Sequence, residues 1–197
     1  MNQIKKCVYT LFVFLVLVNC SNAEQVKLIS GINLTPDGER VVFSWRGDVW
    51  SGPTSGGHIT RLTAHSAAEG YPCVSSDGKS IAFTSNRTGS EQTYTMSVDG
   101  GQPTQLTFHS EGTRPIGFTG DNQSLFVTGR RDHWFKWDTR YFTISATAAQ
   151  SGENLLFDAY GALAALSPDG KTVLFTREGM TWSRKGYTGS KASQIWL

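Results

Sequence analysis

Cysteine and charge are both scarce in this chain of 197 residues. Two of its three cysteines, Cys7 and Cys20, fall within the first 23 residues. Only Cys73 lies beyond them, so an internal disulfide framework is excluded there. Charged residues make up 17% of the chain, below the roughly 25% usual in soluble domains. The excess of 18 Lys+Arg over 16 Asp+Glu gives no bulk attraction to nucleic acid or to an acidic membrane. The most apolar stretch, Val8 to Val18, has 11 residues, too few to span a bilayer. Nothing reads as a nucleophile elbow, a Walker loop or a zinc-binding His-Glu-x-x-His. What is plentiful is glycine, with 21 residues, and aromatic side chains, at 12%. With 39% hydrophobic residues a core is available, and this mixture favours β structure with tight turns.

Residues 1–23 read as a secretory signal. Lys5 and Lys6 form a basic start, Val8 to Val18 the apolar centre, and Ser21-Asn22-Ala23 a small-residue cleavage site. Cleavage after Ala23 leaves residues 24–197, with 16 basic and 16 acidic side chains and no net charge. In an alternative reading, Leu17-Val18-Asn19-Cys20 is a lipoprotein processing box with Cys20 as the lipidated residue. Both predict an exported protein, periplasmic or extracellular, with no membrane span. Cys73 reads as a buried small hydrophobe beside a strand.

The chain repeats itself. Leu34-Thr-Pro-Asp-Gly-Glu-Arg-Val-Val-Phe43, Val74-Ser-Ser-Asp-Gly-Lys-Ser-Ile-Ala-Phe83, Phe118-Thr-Gly-Asp-Asn-Gln-Ser-Leu-Phe-Val127 and Leu166-Ser-Pro-Asp-Gly-Lys-Thr-Val-Leu-Phe175 follow one pattern. Their aspartates, Asp37, Asp77, Asp121 and Asp169, are spaced by 40, 44 and 48 residues. Asp-Gly, or Asp-Asn in the third copy, suits a hairpin turn that needs positive φ. A third strand follows at Asp48-Val49-Trp50 and Thr93-Tyr94-Thr95-Met96. Then come Gly56-Gly57 and Gly100-Gly101, and a fourth strand ending in Arg61-Leu62-Thr63 or Gln105-Leu106-Thr107. Trp50 to Leu62 and Tyr94 to Leu106 are both 12 residues.

Four short antiparallel strands in each period of about 40 residues predict an all-β fold, a β-propeller of four-stranded blades. The blades open near residues 32, 72, 116 and 164, and about three and a half are present. Because Gln194-Ile195-Trp196 matches a third strand, the reading expects an amino-terminal part of a longer protein. The connection between the second and third strands lengthens along the chain, from 7 to 11, 15 and 21 residues between equivalent positions. Insertions confined to one loop class project from one rim, the natural binding face.

The repeats resemble the Asp-Gly propeller repeats of TolB, of prolyl-oligopeptidase relatives and of tricorn-like serine peptidases. Arg46-Gly47-Asp48-Val49-Trp50, with Gly56-Gly57 and Arg61-Leu62-Thr63, is similar to the first blade of the tricorn-like family. Thr181 to Gly189, leading to Gln194-Ile195-Trp196-Leu197, resembles its loop before an Ile-Trp strand. The resemblance implies a non-catalytic propeller that gates or binds peptides or unfolded protein segments. The remaining domains of the same polypeptide, a carboxy-terminal serine peptidase among them, would be its other partners. Open alternatives are a TolB-like periplasmic protein-binding scaffold, the propeller of a prolyl-oligopeptidase or amidohydrolase relative, and a homo-oligomer pairing four blades with another copy.

Candidate residues are few. His65 and His109 each stand three residues after the repeat leucine, which favours a hydrogen-bonding role over metal or catalysis. One aspartate per turn lacks the clustered oxygens calcium requires; no metal and no cofactor are expected. The third loop holds Arg130, Arg131, Trp134 and Trp137. It reads either as a packed rim loop with cation–π contacts or as a peptide-binding surface. Export and zero net charge count against nucleic acid. Arg114 precedes the third inner strand; in the resembled family, basic residues there hold a peptide's terminal carboxylate. A plain surface arginine is the competing reading.

Overall fold

The computed structural model describes residues 29–131, 139–167, 169–177, 188 and 194–197. The expected signal segment, Trp134, Trp137 and the fourth-blade loop at 181–187 lie outside the described residues. The described strands form four antiparallel sheets. The first holds β1 (Ser30–Leu34), β2 (Arg40–Trp45), β3 (Asp48–Pro53) and β4 (Thr60–Arg61). The second holds β5 (Glu69–Val74), β6 (Ser80–Thr88), β7 (Ser90–Ser97) and β8 (Thr104–Gln105). The third holds β9 (Arg114–Phe118), β10 (Ser124–Gly129), β11 (Arg140–Ser145) and β12 (Asn154–Leu155). In the fourth, β13 (Ala164–Leu166), β14 (Val173–Arg177) and β15 (Gln194–Trp196) are described. Strand order follows chain order in every sheet. The propeller architecture expected from the repeats is the one observed.

Each Asp turn closes by one device. Thr35 Oγ1 donates to Asp37 Oδ1 at 2.5 Å, Glu39 N donates to the same oxygen at 3.0 Å, and Arg40 N donates to Thr35 Oγ1 at 3.0 Å. Ser75 with Asp77, Thr119 with Asp121 and Ser167 with Asp169 repeat it at 2.5–2.6 Å. Positive φ falls on the following residue: 73° at Gly38, 71° at Gly78, 59° at Asn122 and 69° at Gly170. The aspartate serves as an acceptor that pins the turn, an Asx-type role. The hydroxyl two residues before it completes the motif.

Blades stack through apolar faces. Val42 and Val49 of the first meet Ile81, Phe83, Tyr94, Met96 and Val98 of the second. Cys73, Ala82 and Leu106 of the second meet Phe118, Leu125, Val127, Phe142 and Ile144 of the third. Each Val, Leu, Ile, Phe or Met among them contributes about 1.5–3 kcal/mol when fully buried. Between third and fourth blades, the Tyr141, Phe157 and Phe175 rings lie 5.0–5.5 Å apart.

The Asp turns gather on one rim. Ser76 N donates to Asn122 Oδ1 of the next blade at 2.8 Å. The opposite rim carries the starts of β5, β9 and β13 and the turns that join β2 to β3 and β6 to β7. Here the second blade departs from expectation. Its extra residues lengthen β6 and β7, which pair from Ser80↔Ser97 to Thr88↔Ser90, and make no long loop. The fourth strands also stop sooner, at Arg61 and Gln105. Leu62 N and Thr63 N then both donate to Val49 O, at 2.8 and 3.3 Å.

Candidate functional site

The innermost strands β1, β5 and β9 each hold one extra residue against their partners. The register shifts lie at Ser30/Asn33, Gly70/Cys73 and Pro115/Gly117. Such bulges re-aim side chains at rims. In β1 the bulge contains Gly31 at φ 57°; the same position in β5 is Tyr71 at φ 51°. A bulky residue in the left-handed region is strained, and strain of this kind concentrates at binding sites. Tyr71 is half exposed.

Arg114 opens β9 and pairs across to Thr128. Its guanidinium lies 4.5 Å from the Tyr71 ring centroid, and its Nε donates to Glu91 Oε2 at 2.6 Å. The Glu91 hydrogen bond holds the guanidinium above its ordinary range, against the opposing effect of burial. Its Nη1 and Nη2 groups have no hydrogen-bond partner among the described residues. Arg114 is therefore built in, with its plane set by Tyr71 and Glu91. Its neighbours were illegible in the sequence, because Tyr71 belongs to the preceding blade and no spacing rule links the two.

Crevices flank this group. One of about 200 Å³ is lined by Glu91, Glu111, Thr113, Arg114, Thr128 and Arg130, among others. Another of about 250 Å³ is lined by Glu69, Gly70, Tyr71, Thr84 and Glu91, among others. Arg130 is exposed beside the first. Glu69 is buried against Arg87, which packs over the Tyr94 ring.

Arg131 points elsewhere. Its five N–H donors reach Glu153 Oε2 and Oε1, both at 2.7 Å, Gly112 O at 2.9 Å, Arg130 O at 2.6 Å and Thr113 Oγ1 at 2.7 Å. The guanidinium also lies 5.1 Å from the Phe142 ring centroid, and its side chain is 11% exposed. This arginine ties the start of β9 to its own blade's outer loop. The structure thus separates Arg114 and Arg130 at the crevice from the inward Arg131.

His65 Nδ1 accepts from Ala67 N at 3.0 Å, and His109 Nδ1 from Glu111 N at 3.1 Å. The two imidazoles repeat one structural job. No group of three or more metal-ligating side chains occurs among the described residues. No helix among them is long and apolar enough to cross a membrane.

A family model described as the tricorn protease N-terminal beta propeller domain matches residues 34–197. Tricorn protease homolog 1 of Streptomyces coelicolor is 30% identical over 169 residues, an alignment covering 82% of this chain and 15% of that protein. TolB from Acinetobacter baumannii superposes with a TM-score of 0.63 at 22% identity, covering 76% of this chain and 38% of that one. A prolyl endopeptidase structure gives 0.55 at 16% identity, covering 76% and 26%. Likeness at such identities shows a shared fold. The chain thus spans 15% of the length of the curated relative.

Proposed function

The chain belongs to the family of tricorn protease N-terminal β-propeller domains, and from that premise we propose that it is the non-catalytic propeller of an exported, tricorn-like serine peptidase, binding peptide substrates for a separate protease domain. The family match over residues 34–197 carries this reading. The rim geometry supports it. Tyr71 offers a ring, and Arg114 offers two terminal amino groups without a hydrogen-bond partner among the described residues. Arg130 lies exposed beside them. A planar guanidinium of this kind suits a carboxylate or a peptide carbonyl.

The experiment is fluorescence anisotropy with unstructured peptides carrying either a free or an amidated carboxyl end. Arg114→Glu is expected to weaken the free-ended peptide by about tenfold, and Tyr71→Ala to weaken both peptides. Equal binding by wild type and both variants would overturn the reading. Peptide hydrolysis by the purified chain would overturn the non-catalytic assignment. Export is tested by fractionation and amino-terminal sequencing; a mature start at Glu24 is expected, and Cys20 as first residue would indicate lipid anchoring.

The TolB-like fold supports a second reading, an envelope scaffold that binds folded proteins. It predicts no preference for a free carboxyl end.

A further inference from the structure

At the opposite rim a cleft of about 640 Å³ lies between the first and second blades. That volume falls within the range of small-ligand pockets. Its walls come from β3 and the Asp turn of the first blade, and from Gly78, Val98 and Asp99 of the second.

Three features set this cleft apart. First, Ser51 lines it with a hydroxyl that has no hydrogen-bond partner among the described residues, although the residue is only 4% exposed. At the equivalent position of the second blade, Thr95 Oγ1 donates to Ile81 O at 3.2 Å. A buried hydroxyl left unpaired costs free energy unless something bonds to it. Second, the charges do not cancel. Arg40 Nη1 is held by Asp99 Oδ1 at 2.8 Å and Val98 O at 3.3 Å. That leaves Glu39 as an acidic group without a salt-bridge partner among the described residues, beside Asp37, whose carboxylate already feels the Arg40 charge. Third, these residues depart from the repeat. Glu39 and Arg40 stand where the other blades have Lys79-Ser80, Gln123-Ser124 and Lys171-Thr172, and His58 stands where the second blade has Gln102.

We propose that this cleft binds a primary ammonium group, which Glu39 and Asp37 attract and to which the Ser51 hydroxyl gives a buried acceptor. An ammonium supplies three donors and no acceptor, matching a wall of carboxylates and a hydroxyl. The ammonium comes either from a lysine side chain of a bound protein or from a free polyamine. The site lies at the other end of the blades from Tyr71 and Arg114, so its success or failure does not depend on the rim reading.

The test is titration of the isotope-labelled chain with Nα-acetyl-lysine methylamide and with spermidine at low salt, followed by amide chemical shifts. Shifts at Ser51, His58 and Thr60 that saturate with Kd on the order of 1 mM support the proposal. Saturation by the blocked lysine assigns a protein side chain, and saturation by spermidine alone a polyamine. Glu39→Gln is expected to weaken binding about threefold, and Ser51→Ala about tenfold. Asp158→Asn, a distant surface neutralisation, is expected to leave it unchanged. No shifts in the cleft, or equal affinities in all three variants, would overturn the proposal and leave a trapped water as the partner of Ser51.

Discussion

The Arg131 guanidinium meets the Glu153 carboxylate through two bonds of 2.7 Å each, closing a fork across the outer edge of the third blade. The pair is mostly shielded from water, with side chains 11% and 22% exposed. Removing one partner strands the other. Glu153→Ala is expected to destabilise the chain by about 2–3 kcal/mol, read from urea unfolding. A loss below about 0.5 kcal/mol would show that the fork behaves as a surface pair.

The same arginine explains a glycine. A Cβ at Gly129 would stand 2.5 Å from Arg131 Nη1 and 2.8 Å from the Gly112 carbonyl oxygen, a backbone atom that cannot step aside. Gly129→Ala is expected to cost about 1–3 kcal/mol. In the neighbouring strand, Gly117→Ala meets nothing nearer than Leu166 Cδ2 at 3.7 Å and should be tolerated. Equal unfolding midpoints for the two variants would contradict the packing argument.

The four turn aspartates give the fold an acid limit. Hydrogen bonds from Thr35, Ser75, Thr119 and Ser167, then from backbone N–H groups, hold Asp37, Asp77, Asp121 and Asp169 below the ordinary value of 3.8. A carboxylate depressed on folding stabilises the folded state above its unfolded pKa. The contribution is lost as pH falls through the folded pKa. Stability should therefore be independent of these groups near neutrality and decline below about pH 4. Ser75→Ala is expected to lower Tm by about 3 °C at pH 7 and to move the Asp77 titration, followed by NMR, upward. An unmoved titration would show that the hydroxyl is not the main cause.

Cys73 should be inert. It is buried in the core between the second and third blades, and desolvation pushes its thiol up to about 12. Reaction with a thiol reagent at pH 8 is expected only after unfolding, because the thiolate is the reactive form. Rapid labelling of the native chain would refute this.

Much of the fold was legible because a blade is local. Hairpin register follows from Asp-Gly and Asp-Asn turns and from alternating apolar residues, all within about ten positions of one another. Positive φ identified the glycine's part in the turn, whereas the aspartate's role came from the hydroxyls at Thr35, Ser75, Thr119 and Ser167, which turn propensity alone did not single out. The rim residues were less legible still. Arg114 and Arg131 are both arginines near one loop class, yet one stacks on Tyr71 at a crevice and the other is sealed against Glu153.

The sequence by itself determined the repeating unit, its strands, its turns and its family, since these rest on spacing and local backbone preference. Only the tertiary structure decided what each repeat position faces. Val49, Thr93, Tyr141 and Ile195 occupy one register position, opposite Ser44, Thr84, Thr128 and Thr176. The first three are fully buried, and Ile195 is 74% exposed. Burial of Val49, Thr93 and Tyr141 comes from the next blade lying against that face, a contact between segments tens of residues apart that no local period encodes.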